Sequence, residues 1–155
     1  MYLFLILILS ISTCFAGTPS FKGKISEDGV NIRTDATVAS QVVSTLAKDS
    51  QVDVVGESYG WYKIKLPVTA PAYIRNDMAH LFVPQDNKRL KVDKEGVNVR
   101  LRPNDASPII GRLDKDQEAI LIEERSGWYR IEPPEGSYGW VSEYFVIKEE
   151  SSSQE

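Results

Sequence analysis

The stretch Gly29-Val30-Asn31-Ile32-Arg33 returns 67 residues later as Gly96-Val97-Asn98-Val99-Arg100. The same offset lays Ala39-Ser40 on Ala106-Ser107, Leu46 on Leu113, and Lys48-Asp49 on Lys115-Asp116. It then lays Gly60-Trp61-Tyr62 on Gly127-Trp128-Tyr129, Ile64 on Ile131 and Pro67 on Pro134, without a gap. A register kept through that many specific matches is an internal duplication. Beyond it Tyr73-Ile74 falls on Trp140-Val141. The end of the first copy reads as longer, with Asn76–His80 as added turn residues and Leu81-Phe82-Val83 matching Tyr144-Phe145-Val146.

Within each copy, short runs rich in β-branched and aromatic residues alternate with turn formers. The turn signals are Asp28-Gly29 and Tyr59-Gly60, repeated as Glu95-Gly96 and Ser126-Gly127. No stretch holds a 3.6-residue period for more than about two turns. The pattern predicts an all-β protein made of two small sandwiches or barrels. Alternation also sorts residues by face. Val30, Ile32, Tyr62 and Ile64 share an apolar face, as do Val97, Val99, Tyr129 and Ile131. That leaves Asn31, Arg33 and Trp61, and Asn98, Arg100 and Trp128, on the wetter side.

The full chain has 155 residues and a formal charge of −4, from 18 Lys+Arg and 22 Asp+Glu, which argues against a nucleic-acid surface. One Cys and one His leave no Cys/His metal cluster and little scope for nucleophilic catalysis. No metal, cofactor or catalytic residue is therefore expected. His80 has Asp77 nearby in sequence, but no nucleophile elbow accompanies it, so it reads as a surface residue. Residues 1–16 are uncharged and strongly apolar but too short to span a bilayer as a helix, which takes about 20 residues. They read as a signal peptide cleaved after Ala16, with no membrane span in the mature chain. A lipid anchor at Cys14 is the alternative, and Ile11-Ser12-Thr13 is a poor match to the motif that precedes such a Cys. Residues 17–84 read as the first unit, 85–89 as the linker, 90–148 as the second unit, and 149–155, which has no apolar residue, as a disordered tail.

The motif series Gly-Val-Asn-Ile/Val-Arg, Leu-x-Lys-Asp, Gly-Trp-Tyr-x-Ile and Gly-Trp-Val-x-x-x-Tyr resembles the bacterial SH3-like domain, in tandem over nearly the whole mature chain. The second copy is the better match, with Arg102-Pro103 and Gly139-Trp140-Val141-Ser142-Glu143-Tyr144. In the first copy Tyr73 replaces the Trp and Ala72 the Gly. The resemblance implies two tandem SH3-like β-barrels. It also implies an exported, periplasmic or extracellular, non-catalytic module that binds cell-wall (peptidoglycan) peptides. The alternative is an envelope adaptor docking a partner protein. The candidate ligand residues are Trp128, Tyr138, Trp140, Tyr144, Asn98 and Arg100, then Trp61, Asn31, Arg33 and Tyr73. Each has a structural reading beside the functional one. The Asn residues can hold turns, the Arg residues can satisfy loop carbonyls, and the aromatics can cover a barrel end.

Overall fold

The structure, a computed structural model, describes residues 20–82 and 88–149. The signal segment with Cys14, the linker residues 85–87 and the tail beyond 149 lie outside the described residues. The strands run β1 (Phe21–Ile25), β2 (Val30–Arg33), β3 (Val42–Leu46), β4 (Gln51–Ser58), β5 (Trp61–Lys65), β6 (Tyr73–Arg75) and β7 (Ala79–Phe82). They continue as β8 (Arg89–Val92), β9 (Val97–Arg100), β10 (Ile109–Leu113), β11 (Glu118–Arg125), β12 (Trp128–Ile131), β13 (Tyr138–Ser142) and β14 (Val146–Lys148). Single 3-10 turns, Asn76–Met78 and Glu143–Phe145, precede β7 and β14.

These strands form two seven-stranded antiparallel sheets, one for each SH3-like barrel. The first is ordered β14-β1-β4-β5-β13-β2-β3 and the second β10-β9-β6-β12-β11-β8-β7. The barrels therefore do not coincide with consecutive halves of the chain. The first barrel takes β1–β5 from the first copy and β13 and β14 from the second. The second takes β8–β12 from the second copy and β6 and β7 from the first. The division at 17–84 and 90–148 is corrected to this reciprocal exchange. The longer first-copy ending is corrected too. The two 3-10 turns, and β7 with β14, superpose on the same 67-residue offset with no insertion. Ala79 thus corresponds to Val146, and Asn76–Met78 to Glu143–Phe145.

Side-chain volume accounts for the exchange. A Cβ on Gly23 of β1 would come within 2.6 Å of Val146 Cγ1 on β14. Gly23 corresponds to Leu90, which is fully buried and stands diagonally beside Ala79 in the β7–β8 register. A small residue meets a large one in each barrel. If each copy closed on itself, Gly23 would face Ala79 across a void, and Leu90 would be forced against Val146; a close-packed interior penalises both arrangements. The connections favour the same outcome. Pro67 and Pro71, and Pro133 and Pro134, stiffen the segments that leave β5 and β12. The crossing is held by Leu66 N–H donating to Ser137 O at 3.0 Å and Ile131 N–H donating to Ala72 O at 2.9 Å.

Alternation produces the interior as the sequence predicts. Ile25, Ile32, Val54, Ile64 and Val141 fill the first barrel, and Ile74, Leu90, Val92, Val99 and Ile131 the second, all essentially inaccessible. Val141 and Ile74 are the exchanged members, each central to the other copy's core. Register shifts in β2–β3, β4–β5, β9–β10 and β11–β12 bend the sheets. Tyr59-Gly60 and Ser126-Gly127 all have positive φ, the geometry of a two-residue hairpin turn that matches strand twist. These turns set Trp61 and Trp128 at the first position of the returning strand.

Candidate functional site

Directly paired residues in antiparallel strands point to the same side of a sheet, so the registers define the outer faces. On the first barrel one row runs Gly56, Lys63, Trp140, Arg33, and the next runs Ser58, Trp61, Ser142. On the second barrel the equivalent rows are Glu123, Arg130, Tyr73, Arg100 and Arg125, Trp128, Arg75. The exchange places Trp140 beside Lys63 and Arg33 of the first copy, and Tyr73 beside Arg130 and Arg100 of the second. A single corner containing Trp128, Tyr138, Trp140 and Tyr144 is therefore not formed. Tyr138 and Trp140 lie on the first barrel and Trp128 on the second.

The two Arg residues of the repeated motif are tied down. Arg33 Nη1 donates to Ser40 O and Arg100 Nη1 to Ser107 O, each at 2.8 Å. Each guanidinium thus clamps the loop that follows its strand. On the first barrel Lys63 Nζ lies 4.6 Å from the Tyr138 ring centre and 6.0 Å from that of Trp140, a cation–π arrangement that occupies these aromatics. Tyr144 is 79% exposed and meets Phe145 edge-on at 5.1 Å. Asn98 lies part-buried with its Oδ1 unpartnered. His80 Nδ1 lies 2.7 Å from Asp93 Oδ1, with both side chains exposed; Asp77 instead takes two hydrogen bonds from Arg75, each 3.1 Å.

Concavities lie along these faces. A groove of about 420 Å³ on the first barrel is lined by Asp28, Asn31, Arg33 and Trp61, and completed by Ser142 and Phe145 of the second copy. Its counterpart, about 380 Å³, is lined by Glu95, Asn98, Arg100 and Trp128, and completed by Arg75 and Met78 of the first copy. Each groove thus needs both copies. On the second barrel Trp128 also forms a wall of a further cavity of about 210 Å³, with Tyr73, Pro103, Glu123, Arg125 and Arg130. Trp128 is the ridge between two depressions.

Charge distinguishes the barrels. Trp61 has Ser58 and Ser142 as its row neighbours, whereas Trp128 has Arg125 and Arg75. Arg75 is matched by Asp77 and by Asp105 at 3.5 Å. Its hydrogen bonds hold the Asp77 carboxyl below the usual carboxylate range, and that carboxylate raises the Arg75 guanidinium. Among the described residues, Arg125 and Arg130 form no salt bridge, and Arg130 Nε is buried without a partner. The sequence pattern did not single out Arg130, although strand alternation sets it two residues from Trp128 on the same face. It missed Arg125 and Arg75, because Arg75 reaches this barrel only through the exchange.

A profile of the bacterial SH3 domain matches residues 28–78 and again residues 95–147. The chain is also similar to the Bacillus subtilis (strain 168) protein named "Putative N-acetylmuramoyl-L-alanine amidase YrvJ", with 22% identity over 135 residues. That match takes in 83% of this chain but 26% of the relative, so the chain spans about a quarter of the relative's length.

Proposed function

Because the chain belongs to the bacterial SH3 domain family, which it carries in two copies, we propose that it is an exported, non-catalytic module that recognises cell-wall peptides. The observation that carries this reading is the repeated composite groove. Each barrel sets a half-exposed Trp, an Asn and a clamped Arg along a shallow depression built from both copies. An indole face offers apolar contact, and the amide and loop backbone offer hydrogen bonds, which suits an extended peptide. The relative named as a putative N-acetylmuramoyl-L-alanine amidase supports a muramoyl-peptide polymer as the target. Two weak grooves on one chain would gain avidity on a repetitive wall.

The test is sedimentation of the full chain with purified wall sacculi, beside tryptophan fluorescence with soluble muropeptides. Trp61, Trp128 and Trp140 are the only tryptophans, so the reporters sit at the proposed surfaces. The expected result is co-sedimentation that weakens in Trp61→Ala and Trp128→Ala and weakens further in the double variant. Absence of wild-type co-sedimentation would refute the reading. A second reading, an envelope adaptor, is favoured by one feature. Phe82, Arg89 and Ile120 form a row on the second barrel with Phe82 43% and Ile120 38% exposed, where the first barrel carries Glu149, Lys22 and Asp53. It predicts binding to a protein partner that Ile120→Asp abolishes and Trp128→Ala leaves intact.

A further inference from the structure

We propose that the small cavity between Tyr73 and Trp128 is a carboxylate-selecting pocket that takes the C-terminal residue of a peptide. This inference rests on the peptide-binding reading and names the group recognised. Four observations support it. The cavity, about 210 Å³, lies below the ~300–1,000 Å³ usual for drug-sized ligands and suits one or two small residues. Its walls Tyr73, Trp128 and Pro103 offer apolar contact to a short side chain. Arg125 and Arg130 line it without a salt bridge among the described residues, and the buried Arg130 Nε has no partner. A donor left unmatched in a buried position is unfavourable until an acceptor arrives, and a guanidinium edge pairs with a carboxylate through two parallel hydrogen bonds.

Glu123, the one acid in the lining, stands opposite Arg130 across the β11–β12 pair. It would accept the N–H of the same terminal residue and discriminate against a bare inorganic anion. The other cations near the pocket are already engaged: Arg100 by Ser107 O, and Arg75 by Asp77 and Asp105. The first barrel supplies an internal contrast. There the positions of Glu123, Arg125 and Arg130 are Gly56, Ser58 and Lys63, and Lys63 lies over the Tyr138 ring. The two barrels are therefore not equivalent readers, and the carboxylate is recognised by the second alone.

Terminal carboxylates occur on wall stem peptides and on protein chains, and the two differ in the hand of the last residues. The experiment titrates the full chain with acetyl-D-Ala-D-Ala, its C-terminal amide, and acetyl-L-Ala-L-Ala, following tryptophan fluorescence. The expected result is saturable binding of a free acid, weakened about tenfold or more in the amide and in Arg130→Gln and Arg125→Gln, with Lys63→Gln unchanged. Preference for the D form assigns the wall, and preference for the L form assigns a protein terminus. Equal binding of acid and amide overturns the proposal, as does absence of binding at millimolar peptide, or wild-type affinity in both arginine variants. Thermal unfolding of each variant checks that the barrel is intact. Sacculus sedimentation separates the two readings. If Arg130→Gln and Arg125→Gln both sediment like wild type and bind the acid unchanged, the pocket is refuted and wall recognition stands. If wild type binds the L acid without sedimenting, wall recognition is refuted and the pocket stands.

Discussion

Replacing Gly23 by Ala tests the exchange of strands directly. The new Cβ would lie 2.6 Å from Val146 Cγ1 and 3.5 Å from Val52 Cγ2. The first distance is about 1 Å inside an ordinary carbon–carbon contact of ~3.5–4.0 Å. Overpacking of this kind costs about 1–3 kcal/mol, and relief of the glycine's chain entropy returns roughly 0.5–1 kcal/mol. The net expectation is a loss of about 1–2 kcal/mol, or a fall of roughly 0.5–1 M in the urea midpoint with an unchanged slope. Val146→Ala removes the colliding methyl, so in the double variant Gly23→Ala should cost almost nothing. The coupling between these positions should be about 1–2 kcal/mol, well above the ~0.5 kcal/mol within which distant sites add. A parallel cycle of Gly23→Ala with Ala79→Gly should be additive. If each copy closed its own barrel, Ala79 would occupy the place of Val146, and Gly23→Ala would be tolerated. Additivity at Val146 together with coupling at Ala79 would refute the reasoning.

Cutting the chain between residues 82 and 88 should give two pieces that fold poorly alone and recover β structure on mixing as a 1:1 complex, measurable by circular dichroism and light scattering. β13 is interior to the first sheet and β6 to the second, so each piece lacks a strand that joins its own sheet. Pieces that fold separately and do not associate would contradict this. Ser137→Ala should leave stability unchanged or raise it by up to ~1 kcal/mol, because the 2%-exposed Ser137 Oγ has no partner to lose; a clear loss on chemical denaturation would show that the hydroxyl is bonded. Burial, and secondarily the Glu124 charge, raises the Tyr129 phenol above its ordinary value of 10.0. A folded-state pKa above the unfolded one contributes stability that is complete below pH ~10 and is lost as the pH rises through the folded value. Tyr129→Phe should therefore flatten the alkaline fall in stability and remove from the absorbance curve a phenol that titrates above the ordinary value, and an unchanged alkaline transition would sink the assignment.

Local signals carried most of the fold. The alternation of Val30-Asn31-Ile32-Arg33 put the right residues inside, and Tyr59-Gly60 with Ser126-Gly127 marked the hairpins that present Trp61 and Trp128. Membership of each barrel was not legible in the same way. β6 and β13 stand at equivalent places in the repeat and share only an aromatic followed by a β-branched residue, Tyr73-Ile74 and Trp140-Val141, so periodicity cannot say which copy they complete. The informative residues are ones that break the repeat, Gly23 against Leu90 and Ala79 against Val146. An alignment that opens a gap before Leu81 hides the second of these pairs. The outward Asn, Arg and Trp could be read from alternation. Arg75 and Tyr73 could not be placed beside Trp128, because nothing local records that they cross over.

The exchange also changes what duplication accomplishes. Two self-contained barrels on a linker would bind independently and could lose either member. Here the groove at Trp61 is closed by Ser142 and Phe145, and the groove at Trp128 by Arg75 and Met78. Occupying either groove therefore stabilises contacts made by both copies, and by mass action a ligand at a hundred times its dissociation constant would add about 2.7 kcal/mol to the fold as a whole. The sequence divergence follows the same logic. The clamping Arg33 and Arg100 are kept in both copies, because each barrel needs its loop held. Row positions beside each Trp differ between the barrels, Ser58 and Ser142 against Arg125 and Arg75. A molecule with one interlocked scaffold can thus carry two unlike outer faces, one with serines beside its Trp and one with arginines.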